Sequence, residues 1–387
     1  MDRPHGSQDS VLIIAAEASS SLYAQRLLEF WKQSGREVSA FGIGSREMEK
    51  LGFECIGRSE EMAVVGLQEV IKHLPLIRRV YNALLKACEE RKPKFALLLD
   101  YPEFNLKIAK DLKKRGIKVI YYISPQVWAW RTGRVNLIRR VVDRMLVLFP
   151  FEEPFYKSHN VASTFVGHPL LDELPPKASE AAQRLHRERN GIAKGELVLG
   201  LMPGSRHSEI GHHLKTQLET AALVVAKNPR VRVVLMVAPT LDRTELREGM
   251  GDVAFPIQII KESPLDMIAL ADVILVASGT ATLMVGLMEK PMVIMYRMNA
   301  ITAWIAKRLV TKTPFFGMVN LIMNRRVVPE LFQEEANPER LASELLYFLD
   351  QPEELRKKSE ELAFLKDSLG SRGATARVAE ILSGYFN

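Results

Sequence analysis

Apolar residues fall along this chain in short continuous runs, separated by segments of helical spacing. In the first part the runs are VLIIAA (11–16), VSAFGIG (38–44), FALLLD (95–100), KVIYYIS (118–124), RMLVLFP (144–150) and STFVG (163–167). Continuous rather than alternating runs predict strands buried on both faces, as in a parallel sheet covered by helices. Intervening segments such as NLKIAKDLKKRG (105–116) carry helical spacing and end on a glycine stop signal. Near Leu171 the pattern breaks, and LDELPPKASEAAQRLHRERNG predicts a linker and one helix. A second series follows: LVLGLMPGS (197–205), VRVVLMVAP (231–239), FPIQII (255–260), DVILVAS (272–278) and PMVIMY (291–296). The pattern therefore predicts an α/β chain of two doubly wound, Rossmann-like halves in tandem, joined near residues 170–190, with no sequence repeat between them. The last fifty residues predict charged packing helices. Two such halves imply a cleft, and ligands in such sheets bind beyond the carboxyl ends of strands. The loops after strands are where chemistry is sought.

Length and composition agree with two globular domains: 387 residues, 47% apolar and 26% charged. The net charge of +7 favours anionic partners such as phosphates, nucleotides or acidic lipid surfaces. No dense basic run carries interleaved aromatics, which argues against a nucleic-acid partner. The two cysteines, Cys55 and Cys88, have no metal-type spacing and fit a reducing compartment. No segment reaches the roughly 18–20 apolar residues of a membrane span. The run Val11–Ala16 is followed at once by Glu17 and predicts a first core strand, not a signal peptide.

Four loops carry candidate chemistry. In VASGTAT, a strand ends at Ser278, Gly279 allows a close turn, and Thr280 to Thr282 open a helix with two hydroxyls expected to point outward. Helix-mouth N–H groups there suit an anion, although the same residues are the usual helix caps. In LGLMPGSRHSEI (199–210), Gly204 and Ser205 make the turn and Arg206 sits in the first turn of the next helix. A cation there opposes the helix dipole unless it holds an anion, and an arginine fork suits a diphosphate. In LLLDYPEFN (97–105), Asp100 ends an apolar strand and can serve as general base or as a cap. Pro102 fixes that turn and Asn105 begins the helix. The spacing from Asp100 to Glu103 is not a metal motif, so no metal is inferred. In YYISPQVWAWR (121–131), Trp128 and Trp130 offer flat surfaces and Gln126 a neutral hydrogen-bonding group, a mixture that suits sugars. His168 in FVGHP is as readily structural as a ligand. Two basic amphipathic stretches, 64–85 and 300–316, suit acyl chains or an anionic membrane surface, as would ordinary buried helices.

These residues resemble the lipid-A-disaccharide synthase family over nearly the whole chain. The resemblance rests on MAVVGLQEVIKHLP (62–75), DYPEFNLKIAKDLKKRGIKVIYYISPQVWAWR (100–131), FVGHPLLDEL (165–174), MPGSRHSEI (202–210), ASGTAT (277–282) and NLIMNRRVVPELFQEE (320–335). It implies a GT-B fold and a metal-independent, cofactor-free inverting glycosyltransferase. The implied donor is UDP-2,3-diacylglucosamine and the implied acceptor 2,3-diacylglucosamine 1-phosphate (lipid X). The products would be the β-1,6 lipid A disaccharide 1-phosphate and UDP. By the same resemblance, residues 1–172 take the acceptor and lipid, and 173–350 the UDP-sugar. Residues 351–387 form helices that pack across domains or exchange in a homodimer. The protein would work at the cytoplasmic face of a Gram-negative inner membrane. Asp100 resembles the family's base, and Glu17, Arg206 and Asn320 match positions needed for activity. Ser19, Asn105, Gln126, Gly204, Ser205, Ser278, Gly279, Thr280, Glu330 and Gln333 are carried over as substrate-binding candidates.

Three departures stand out. The family's first loop normally reads Gly-Glu-x-Ser-Gly-Asp; here it is Ala16-Glu17-Ala18-Ser19-Ser20-Ser21, which predicts a bulkier loop that crowds the site. Met284 stands where the family commonly has a glutamate for ribose hydroxyls, and methionine cannot accept those bonds. Arg326 replaces a usual glutamate. The departures leave open a divergent paralogue with another donor or acceptor, and a non-catalytic lipid-binding relative.

Overall fold

The computed structural model describes residues 9–62, 67–128, 132–299 and 314–386. The chain forms two compact units. Met1–Asp172 with Leu369–Asn387 makes one, and Glu173–Ser368 the other.

In the first unit the strands are β1 (Asp9–Ala15), β2 (Val38–Gly44), β3 (Glu54–Arg58), β4 (Phe95–Leu99), β5 (Lys118–Tyr122), β6 (Arg144–Val147) and β7 (Ser163–Phe165). They pair in parallel in the order β3-β2-β1-β4-β5-β6-β7. Side chains alternate across a strand, and here both faces are covered. Leu12 and Ile14 join a core with Phe41, Leu98, Ile108 and Tyr121. Val11, Ile13 and Ala15 join another with Leu27, Trp31, Leu97 and Leu382. That is why these strands read as unbroken apolar runs. Gly42 (φ 142°) is required where β2 pairs with β1, because a Cβ there would stand 2.0 Å from the Ile13 carbonyl oxygen.

In the second unit β8 (Leu197–Met202), β9 (Val231–Met236), β10 (Ile257–Ile260), β11 (Val273–Ala277), β12 (Met292–Tyr296) and β13 (Glu330–Phe332) pair in parallel. Their order is β10-β9-β8-β11-β12-β13. The helices His207–Lys227 and Pro338–Asp350 cover one face through Leu214, Leu218, Leu341 and Leu345. The helix Pro352–Asp367 stays in this unit, with Leu365 against the helix that contains Gly286. The chain then returns to the first unit, where Ala374–Ser383 packs on Ala18–Gln33 and Phe386 sits edge-on to Trp31 at 5.7 Å.

In each unit the strand order reverses once, between β1 and β4 and between β8 and β11. The carboxyl ends flanking such a switch point are where open α/β sheets take ligands. β3 and β13, which the apolar pattern does not predict, are both sheet edges.

Candidate active site

The switch point of the first unit brings Glu17 and Asp100 together. β1 and β4 run in register with Ala15 opposite Leu99, so Glu17 and Asp100 leave adjacent strand ends. Asp100 (φ 49°) and Tyr101 (φ 46°) are consecutive non-glycine residues in the left-handed region. Such strain persists only where the surroundings impose it, and it clusters at functional sites. Here the imposition is visible. Asn105 is fully buried, and its Nδ2 donates to the carbonyls of Leu99 (3.1 Å) and Asp100 (2.7 Å). The buried Tyr121 hydroxyl donates to the same Asp100 carbonyl. Both grips are on the backbone, which leaves the half-buried Asp100 carboxylate at the strand end. Tyr101 donates to the Met62 carbonyl at 3.0 Å, and its hydroxyl pKa is raised by burial and by the neighbouring Glu17 charge.

The altered first loop does not crowd this edge. Ser20 and Ser21 are buried. Ser20 Oγ accepts from the Glu17 N–H (3.0 Å) and donates to the Glu17 carbonyl (2.9 Å), while Ser21 donates to the Ala15 carbonyl (2.9 Å). The expected bulk is folded into the helix start. Ser19 is exposed.

After β5, Ile123 is a third left-handed residue (φ 66°), an unusual conformation for a β-branched side chain. It launches the loop that exposes Gln126. Trp128 is half-buried, edge-on to Phe151 at 4.9 Å, and its Nε1 donates to Glu152 at 3.2 Å. Trp130 and Arg131 lie outside the described residues, as do most of 300–316 and the start of 64–85. Glu152, which no sequence signal singled out, is 2% exposed. It also accepts from Ser124 Oγ (2.5 Å) and the Phe149 N–H (3.1 Å). Burial outweighs these bonds and lifts its pKa from the usual 4.5 to about 7.

A carboxyl whose pKa rises on folding makes stability greatest below its unfolded value. That contribution is lost as pH climbs from 4.5 to 7, by about 3 kcal/mol for a shift of this size. Denaturant titrations at pH 5 and pH 8 should show Glu152→Gln sparing most of that loss. Equal pH dependence in wild type and variant would show that Glu152 keeps an ordinary pKa. His168 pulls the other way in the same chain. It is buried, accepts from the Leu170 N–H at 3.2 Å, and burial drops its pKa to about 3, so it is a neutral structural residue. Comparing variant with wild type cancels its effect.

The second unit's switch point joins the other two loops. β8 and β11 are paired with Met202 opposite Val276, so the Pro203–Arg206 and Ser278–Thr280 loops leave neighbouring strand ends. Gly204 takes φ 133°. Ser205 donates its N–H to Glu209 Oε2 at 2.8 Å, and Arg206 Nη1 lies 3.5 Å from Glu209 Oε1. His213, also missed from sequence, ties this loop down. It is buried, burial lowers its pKa, and as a neutral ring it donates from Nδ1 to the Pro203 carbonyl (2.9 Å). Its Nε2 accepts from the Arg297 N–H at 3.0 Å. The helical spacing from Arg206 was the signal available for it.

At the other loop Ser278 is half-buried, and Gly279 and Thr280 are exposed at the start of the helix Thr280–Leu287. The Thr282 hydroxyl does not point outward as expected. It is buried and donates to the Gly279 carbonyl at 2.7 Å, capping its own helix turn. Met284 lies one turn beyond Thr280 on the same helix face.

Three expected substrate ligands are turned inward instead. Asn320 is fully buried; its Oδ1 accepts from the N–H groups of Val327 (2.7 Å) and Val328 (3.0 Å), and its Nδ2 donates to the Val328 carbonyl (2.9 Å). Glu330 accepts from the Gly317 N–H at 2.8 Å, and burial raises its pKa. Gln333 (φ 53°) exchanges two 3.0 Å bonds with the Met298 backbone. Like the Asn105 Nδ2, these side chains bond to backbone groups, where leaving those groups unpaired would be costly. They shape loops.

Solved structures share this architecture. A UDP-GlcNAc 2-epimerase from Neisseria meningitidis bound to UDP-GlcNAc superposes with TM-score 0.64 at 11% identity, covering 97% of this chain and 99% of that one. The kitacinnamycin glycosyltransferase gives TM-score 0.62 at 16% identity, covering 98% and 99%. The fold is the GT-B class of glycosyltransferases. The family model for lipid-A-disaccharide synthetase matches residues 11–379. Lipid-A-disaccharide synthases of Myxococcus xanthus (40% over 375 residues) and Geobacter metallireducens (40% over 372) each align with 96% of this chain and 96% of their own length. The chain belongs to the lipid-A-disaccharide synthase family and is a glycosyltransferase.

Proposed function

We propose that this chain transfers the sugar of UDP-2,3-diacylglucosamine to the 6-hydroxyl of 2,3-diacylglucosamine 1-phosphate, with inversion, in lipid A biosynthesis. The family match from residue 11 to 379 carries this reading. Asp100 takes the hydroxyl proton as that oxygen attacks the anomeric carbon. The bond from that carbon to the UDP oxygen breaks, and its electron pair leaves with UDP. Arg206, the Ser205 N–H and the mouth of the Thr280 helix receive the charge that develops on the diphosphate. Glu17, beside Tyr101, sets the field around Asp100. The strained backbone at Asp100 supports a role for that strand end.

No helix among the described residues is long and apolar enough to cross a membrane. In the helix Leu67–Arg91, Leu74 is 51% exposed near the exposed Arg78 and Arg79, which supports peripheral contact with an anionic bilayer. Exchange of C-terminal segments in a homodimer remains part of the same reading.

The test is UDP release from the diacyl UDP-sugar in detergent. Release that needs both substrates is the expected result. No release, with a relative active under the same conditions, overturns the reading. Met284 on the face of Thr280 favours one variation, a donor with altered ribose contacts, and a competing panel of nucleotide sugars distinguishes it.

A further inference from the structure

Glu209 stands where an anion is expected. It is the third residue of the helix His207–Lys227, and in a capping box such a residue would accept from the N-cap N–H, that of Arg206. It accepts instead from Ser205, one residue earlier, at 2.8 Å, with the Ser205 hydroxyl at 3.5 Å from the same oxygen. Its other oxygen faces the Arg206 guanidinium at 3.5 Å. The seat is shaped for it. A Cβ at Gly204 would lie 2.6 Å from both Cβ and Oε2 of Glu209. The loop's outer side is held by Thr240, whose hydroxyl donates to the Ser205 carbonyl at 2.7 Å, and its inner side by His213 on the Pro203 carbonyl. Tyr296 senses both charges, its pKa pushed up by burial and by Glu209 and down by Arg206.

We propose that the Glu209 carboxylate is an internal substitute for the donor diphosphate. It holds the Ser205 N–H and the Arg206 fork in their liganded arrangement, yields them to the diphosphate, and reclaims them to hasten UDP departure. The inference rests on the donor-site reading above. An N–H donates to one anion at a time, and two anions within reach of one guanidinium repel each other. A carboxylate on a helix side chain yields and returns by a rotamer change, with no backbone rearrangement needed. Glu209 is thus a positioning residue that sets how tightly UDP is retained.

Calorimetric titration with UDP and with uridine, on wild type, Glu209→Ala and Glu209→Gln, tests this. Removing the competitor should tighten UDP about tenfold, equivalent to ~1.4 kcal/mol. Uridine affinity should stay within about twofold, because uridine brings no phosphate charge to compete. Product inhibition by UDP should strengthen by the same factor, and the gain should shrink in high salt. Glu209→Gln keeps an acceptor for Ser205 but loses the charge, so it should fall between, and it carries the test if the alanine variant folds poorly. UDP affinity unchanged or weaker in both variants, with uridine unaffected, overturns the inference and leaves Glu209 a brace of the loop. No saturable UDP binding by wild type or variants overturns the donor-site reading and this inference with it.

Discussion

Asp100→Asn should lower turnover by about 10³-fold while leaving the fold intact. A positioned general base contributes roughly 10²–10⁴ to rate, and asparagine cannot take the proton. Asparagine is the right replacement because of the backbone. Asp100 sits at φ 49°, where Asn is among the few residues at ease, whereas alanine would add strain of about 1 kcal/mol or more. The contacts of Asn105 and Tyr121 reach the Asp100 carbonyl, so the substitution leaves both in place. Single-turnover rates with both substrates, alongside thermal denaturation, check this. An unchanged melting temperature with a rate near wild type would remove Asp100 as the base. Loss of both would mean the carboxylate is needed to fold the turn.

The sequence pattern located eleven strands because each lies in a run of apolar or β-branched residues, and the inner ones are apolar on both faces. β3 and β13 escaped it for a physical reason. Each pairs on one side only, as β7 and β10 also do, but each also begins on a glutamate and offers only two adjacent apolar residues, Cys55 and Ile56 in ECIGR and Leu331 and Phe332 in ELF. Glu330, which the family resemblance offered as a substrate-binding candidate, lies in β13, and there its carboxylate accepts from the Gly317 N–H. The loops bearing chemistry were legible for the same reason as the strands, since each follows an apolar run. Which way their polar side chains turn was not. Ser20, Thr282, Asn105 and Asn320 have the composition of a site and the burial of a core. That distinction depends on which backbone N–H or C=O lies nearby, a tertiary fact. Glu152 and Glu209 were missed for the converse reason, since each reads as an ordinary helix-start acid until its partners are seen.

Asn320 separates these two kinds of residue by experiment. Asn320→Ala should cost about 3–5 kcal/mol and lower the melting transition of the Glu173–Ser368 unit by roughly 10 °C or more. Its amide makes three bonds, to the N–H groups of Val327 and Val328 and to the Val328 carbonyl, all in a fully buried setting. Truncation strands all three groups out of reach of water, and each unpaired group costs about 1–3 kcal/mol. The damage should spread to the donor side. The side chain ties the helix Met318–Met323 to the segment entering β13, and Glu330 in β13 anchors the start of the same helix through Gly317. Activity should therefore be lost along with stability, and part of it should return at temperatures well below the new transition, where the unit is folded. Differential scanning calorimetry paired with assays at low temperature reads both. A variant that melts within about 2 °C of wild type yet stays inactive in the cold would restore Asn320 to direct contact with substrate, because positioning through the fold cannot fail while the fold stands.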